Sequence, residues 1–100
     1  MTDGIIELDS EFARAIGFTS DKFDGWLWRH NNFIFISFIR SKQKRQGNFG
    51  RLLDTILETG SRIKVPTPSG LMKIILQRRR FKQTEEYDEL MRPVEVWVSQ

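Results

Sequence analysis

The apolar positions of this chain fall into short blocks separated by capping and turn residues. Asp9-Ser10 can cap a short helix over Glu11–Ile16, which Gly17 stops. Trp26-Leu27-Trp28 and Phe33–Ile39 are aromatic and β-branched runs. Arg29-His30-Asn31-Asn32 joins them, and its asparagines tolerate turn geometry, so the pair predicts a β-hairpin. The second arm is apolar at nearly every position, which predicts a central strand covered on both faces. After the polar, basic stretch Arg40–Gly47, Leu52, Leu53, Ile56 and Leu57 recur at helical spacing, and Gly60 ends that helix.

Arg62-Ile63-Lys64-Val65 reads as a short strand stopped by Pro66 and Pro68. Ser69 is an N-cap for a helix from Leu71 to Arg79, with Leu71, Ile74 and Ile75 on its buried face. Phe81–Tyr87 and Val94–Val98 predict a closing pair of strands. In the second, Val94, Val96 and Val98 share one face and Glu95 and Trp97 the other, with Pro93 just ahead of it. The order is helix, two strands, helix, strand, helix, two strands, and Phe33–Val65 has the form of a β-α-β crossover. The predicted class is therefore mixed, α+β or α/β: a small sheet with flanking helices in a single domain over residues 1–100.

Composition narrows the setting. There is no cysteine, which removes disulfides, thiolate metal sites and cysteine nucleophiles and fits a reducing compartment. No basic region followed by an apolar run opens the chain, and Phe33–Ile39, the longest apolar stretch, is only strand-sized. The expectation is a cytoplasmic protein without a membrane segment or a metal centre.

Charge is unevenly placed. Residues 1–24 carry six acids and two bases, residues 25–82 thirteen bases and two acids, and residues 83–100 five acids and one base. The basic middle predicts an anion site, for a phosphate cofactor or nucleic acid; a solvated basic face is the plain alternative.

The stretch that carries chemistry is Phe33–Leu53, where a buried strand runs into a basic, glycine-containing loop that opens a helix. Unpaired N–H groups and the dipole at a helix start favour phosphate, and Gly47 and Gly50 let the backbone approach it. Lys44, Arg45 and Arg51 can add charge-assisted hydrogen bonds. Neither G-x-x-x-x-G-K-[ST] nor G-x-G-x-x-G is present.

Lys44-Arg45-Gln46-Gly47-Asn48-Phe49-Gly50-Arg51-Leu52-Leu53 resembles the pyrophosphate motif Q/R-x-x-G-x-G/A of the GNAT family of N-acetyltransferases. Gly47 sits at its first glycine. Lys44 stands where Gln or Arg is usual, and Phe49 at the second Gly/Ala place. Ile63–Val65, Ser69–Phe81 and Val94–Val98 are similar to the family's fifth strand, following helix and last strand, so the likeness spans roughly residues 25–98, with a shortened N-terminus. It implies a GNAT-like, mostly antiparallel mixed sheet that binds acetyl-coenzyme A. By position, Phe38, Ile39 and Arg40 would offer backbone groups to the pantetheine arm. The N–H groups of Gln46, Gly47, Asn48, Phe49, Gly50 and Arg51 would face the pyrophosphate, with Lys44, Arg45 or Arg51 reaching the adenosine phosphates. Ser69 stands where the family often has a cofactor-contacting Asn.

The resemblance also implies a proton donor, often a Tyr, at a position occupied here by Leu76, which cannot donate. Tyr87, the only tyrosine, falls in a predicted strand. Ser37 reads as a core hydroxyl, and His30 sits in a predicted turn without an evident partner. Glu85, Glu86 and Asp88 read as surface carboxylates on the acceptor side. Arg78-Arg79-Arg80 reads as a solvated helix end, with Arg79 nearer the core, and Trp26, Trp28 and Trp97 as core or edge cover.

Three functions follow: an N-acyltransferase with an unidentified small-molecule or protein amine as acceptor, a non-catalytic interaction module on the same fold, and a small basic nucleic-acid binder. An exposed closing strand, Val94–Val98, would also allow a homodimer.

Overall fold

A computed structural model describes residues 3–43 and 46–100 of the chain. The elements are β1 (Gly4–Glu7), α1 (Glu11–Ile16), β2 (Phe23–His30), β3 (Phe33–Ser41), α2 (Asn48–Glu58), β4 (Arg62–Pro66), α3 (Gly70–Arg78), β5 (Lys82–Tyr87) and β6 (Pro93–Val98). The strands form one sheet in the order β1-β2-β3-β4-β6-β5, parallel only between β3 and β4. The fold is α+β, a mostly antiparallel mixed sheet with three helices. Among the described residues no helix is long and apolar enough to cross a membrane.

Local chemistry explains most of these elements. Ser10 caps α1 by accepting from the Ala13 N–H at 3.2 Å, and Gly17, at φ 84°, closes it. Asn31, at φ 55°, and Asn32 form the two-residue turn of the β2–β3 hairpin. Leu52, Leu53 and Ile56 of α2 are buried, as their spacing predicts. Ser69 caps α3, accepting from the Met72 N–H at 3.3 Å.

Four expectations change. β1 is an additional strand, paired antiparallel to β2 with Ile6 opposite Leu27. β6 lies between β4 and β5, so Val94–Val98 is an interior strand, and β1 and β5 are the edges. Leu71 and Ile74 are exposed; α3 instead turns Met72, Ile75 and the fully buried Leu76 inward. With Arg79, these residues form the i, i+3, i+4, i+7 stripe of a one-sided helix.

The fourth change concerns β3, which is covered on one face only. Phe12 of α1 lies under the buried Arg29 of β2, 5.0 Å from guanidinium carbon to ring centre. Lys73 of α3 pairs at 3.1 Å with Glu95, which shares the Trp97 face of β6, and Arg79 pairs with Asp54 of α2. All three helices therefore pack against the face that carries Ile6, Leu27, Ile34, Ile36, Ile63, Val65 and Trp97. Among the described residues the opposite face bears no helix. A β-bulge sets the phase of β3: the register passes from Trp28↔Phe35 to Trp26↔Phe38, so Leu27 opposes both Ile36 and Ser37. The extra residue puts Phe38 on the same face as Phe35, and Ser37 between them is exposed rather than a core hydroxyl.

Glu95 ties α3 to the sheet. It accepts from Trp97 Nε1–H at 2.9 Å and pairs with Lys73, and these contacts hold its carboxyl below the ordinary value of 4.5. A carboxyl lowered in the folded state stabilises the fold above its unfolded value, and that contribution is lost as pH falls through the folded one. The melting temperature should therefore drop on acidification from 4.5 downward. Glu95→Gln should flatten that drop in melts followed by circular dichroism.

Candidate functional site

The site is built where the two parallel strands part. β3 and β4 pair only at Phe33↔Arg62, Ile34↔Ile63 and Phe35↔Lys64. β3 then runs on to Ser41 and β4 to Pro66 without further pairing between them. Each strand feeds a helix at this end, β3 into α2 and β4 into α3. A crevice at the carboxyl ends of adjacent parallel strands, with helix N-termini beside it, favours an anionic ligand.

α2 begins at Gly47, whose φ of 74° and ψ of 13° put it in the left-handed region. No side chain caps this start, and its first turn holds no acid. The positive end of the helix is thus uncompensated by its own residues. Arg51 folds back over the turn, Nη2 donating to the Gln46 carbonyl at 2.7 Å and to Asn48 Oδ1. Buried Asn48 in turn donates from Nδ2 to Gln43 Oε1 at 3.2 Å. This lattice holds a guanidinium beside the first turn of α2.

The other candidate residues take distinct places. Phe49 points into the core, so its bulk does not fill the space before the helix. Gly50 serves packing rather than anion approach: a β-carbon there would lie 2.5 Å from Arg79 Nη2. The Arg79 guanidinium crosses this spot to meet both Asp54 oxygens, at 2.8 and 3.1 Å. Phe38, Ile39 and Arg40 lie on the part of β3 that has left β4. Phe38 stacks on Trp26 at 4.7 Å between ring centres, Ile39 packs against the core, and Arg40 pairs with Asp24. That pairing holds the Asp24 carboxyl below its ordinary range. Ser69 spends its hydroxyl on the α3 cap. Lys44 and Arg45 lie outside the described residues.

Two contributors escaped the sequence. A cleft of about 310 Å³ between α1 and α2 is lined by Arg14, Lys22 and Arg51, with Asn48 and Thr55, and by no acid. Arg14 and Lys22 belong to the acidic first quarter of the chain, and only the packing of α1 on α2 brings them to Arg51. Three cations around one cleft make it a local anion attractor despite that acidic context.

The residues considered for proton transfer do not gather here. Leu76 is fully buried in the core. Tyr87 is exposed on edge strand β5, two strands or about 10 Å from β4, and its hydroxyl donates to Glu85 at 3.4 Å. His30 ends β2 on the open face, with Nδ1 at 3.3 Å from Asp3 Oδ2. No family model, no curated protein and no solved structure matches this chain.

Proposed function

We propose that the chain binds acetyl-coenzyme A, with the pantetheine arm between the parting strands β3 and β4 and the pyrophosphate on the first turn of α2. The observation that carries this reading is the uncapped start of α2 at left-handed Gly47, directly after a strand that has left its parallel neighbour. Arg51, Arg14 and Lys22 line one cleft with Asn48 of that turn, and in this reading they take the remaining nucleotide phosphate. The match of Gly47 to the pyrophosphate motif supports the same reading.

In the transfer proposed, an acceptor amine in its neutral form attacks the thioester carbonyl. The C–N bond forms, the C–S bond breaks, and the amine nitrogen gives up a proton as coenzyme A thiolate leaves. Leu76, at the position where the resemblance implies a donor, is apolar and buried and supplies no proton to the thiolate; in this reading water takes the amine's proton and returns one to the thiolate. Leu76 also favours a second reading, a cofactor-binding module without turnover.

Titration calorimetry with coenzyme A and acetyl-coenzyme A tests binding, and thiol release over a panel of amines and peptides tests transfer. Saturable one-site binding with thiol release is expected. Binding without release selects the non-catalytic module, and no heat up to about 1 mM ligand, the weak end of specific affinity, overturns both.

A further inference from the structure

The bare face of the sheet is ordered by charge. One register row crosses all six strands as Ile5–Trp28–Phe35–Lys64–Val98–Lys82. A second runs Glu7–Trp26–Phe38, and a third places Asp3 beside His30, then Phe33 and Arg62. The centre is aromatic and open to solvent: Trp26 is 43% exposed, Trp28 44%, Phe38 55% and neighbouring Ile5 57%. Apolar side chains of this size, contiguous on a sheet without a helix over it, mark an interaction surface. The β1 flank carries the acids Asp3 and Glu7, and the β4 and β5 side carries Arg62, Lys64 and Lys82. Several acids of the face also have partners within the chain: Asp3 lies 3.3 Å from His30, Asp24 pairs with Arg40 and Lys42, and Glu86 with Lys64.

We infer that this face pairs with the same face of a second copy of the chain, in a two-fold dimer whose axis runs along the strands between β2 and β3. A two-fold interface must be self-complementary, and this arrangement of charges is. Rotation about that axis sets β2 of one copy over β3 of the other, and β1 over β4. Trp26 and Trp28 then pack on the partner copy's Phe38 and Phe35, Asp3 meets the partner copy's Arg62, and Ile5 lies over the stem of its Lys64, with Glu7 one row along from that ammonium. Aligned sheet packing at about 10 Å accommodates such a layer of aromatic side chains. A nucleic acid fits less well, because the acidic β1 flank would face its phosphates. The dimer does not rest on cofactor binding; its interface is the helix-free face, whereas the first turn of α2 lies on the other side of the sheet.

Sedimentation equilibrium of the full chain tests it, with melting curves to verify folding. The wild type is expected to dimerise with a concentration-dependent mass. Trp28→Lys, at an exposed position, should weaken association about 30-fold or more, as loss of a central aromatic anchor does. Asp3→Arg gives up the contacts to Asn31 and His30, and Arg62→Glu those to Phe33 and Ser99, so each is compared at a matched folded fraction from its melting curve. Each should weaken association by about 5-fold, because every change occurs twice in the dimer, and together they should restore it. A wild type that stays monomeric to about 500 μM overturns the inference, as does a dimer indifferent to Trp28→Lys or a double variant without recovery. Quenching of tryptophan fluorescence by a single-stranded oligonucleotide, on protein that sediments as a monomer, would assign the face to nucleic acid and also overturn it.

Discussion

Gly25→Ala is expected to destabilise the domain by about 3 kcal/mol. Gly25 lies opposite Ile39 in the β2–β3 ladder, next to the bulge, with φ 116°. A β-carbon there would stand 2.1 Å from the Phe38 carbonyl oxygen and 3.0 Å from the Ile39 α-carbon. Both neighbours are backbone, so neither can swing aside. The entropic gain of replacing a glycine, about 0.4–1 kcal/mol, is too small to offset a strained φ and a backbone overlap of about 1–3 kcal/mol each. At about 4–8 °C per kcal/mol for a domain of this size, the melting temperature should fall by about 12–24 °C. Gly70→Ala is the control. It has open space, no positive φ and a place at the start of α3, so it should leave stability unchanged or raise it by about 0.4–1 kcal/mol. Equal melting temperatures for the two variants would contradict the strain assigned to Gly25.

Gly47→Asp is expected to leave the fold intact and weaken coenzyme A binding by about 100-fold or more, since like charge at a ligand costs several kcal/mol. The position is exposed, and asparagine and aspartate tolerate left-handed backbone better than other side chains. The nearest atom to an added β-carbon is Arg51 Nη1, at 3.1 Å, the end of a flexible side chain. An aspartate would bring its carboxylate to the α2 start and draw Arg51 onto itself. Gly47→Asn, of the same shape without the charge, should lose much less affinity. If the two variants bind equally, electrostatics at the start of α2 do not hold the cofactor.

Elements whose signals are local were legible in the sequence. Ser10 and Ser69 announce their helices through capping, Gly17 stops one, and Asn31-Asn32 turns the hairpin. The four residues of β1 were not legible, because Ile5 and Ile6 alone give no period and the strand exists by pairing with β2. The run Phe33–Ile39 reads as doubly buried because periodicity registers apolar content and cannot tell a helix-covered face from an aromatic open one. The bulge opposite Leu27 then breaks the alternation, so that Phe38 rather than Ile39 joins Phe35 on the open face. On α3, Leu71 and Ile74 compete with Met72, Ile75 and Leu76 for the inward side. The docking of Arg79 on Asp54, a contact between two helices, completes the inward stripe.

The candidate site divides in the same way. The place of Gly47 at the start of α2 was readable from a strand, a basic loop and a helical period in succession. The role of Gly50 was not, because its cause is Arg79, 29 positions further along the chain. Nor were Arg14 and Lys22, which reach Arg51 only through the packing of α1 against α2.

The most direct measurement is the backbone amide spectrum of the isotopically labelled chain, recorded by NMR as coenzyme A is added. The expected result is that the largest shifts fall on the amides of Gly47, Asn48, Phe49 and Gly50, with a second group at Phe38–Arg40 where β3 has left β4. Saturable shifts confined to other residues, such as the Arg78–Lys82 cluster or the open face of the sheet, or no shifts at all, would contradict cofactor binding at the first turn of α2.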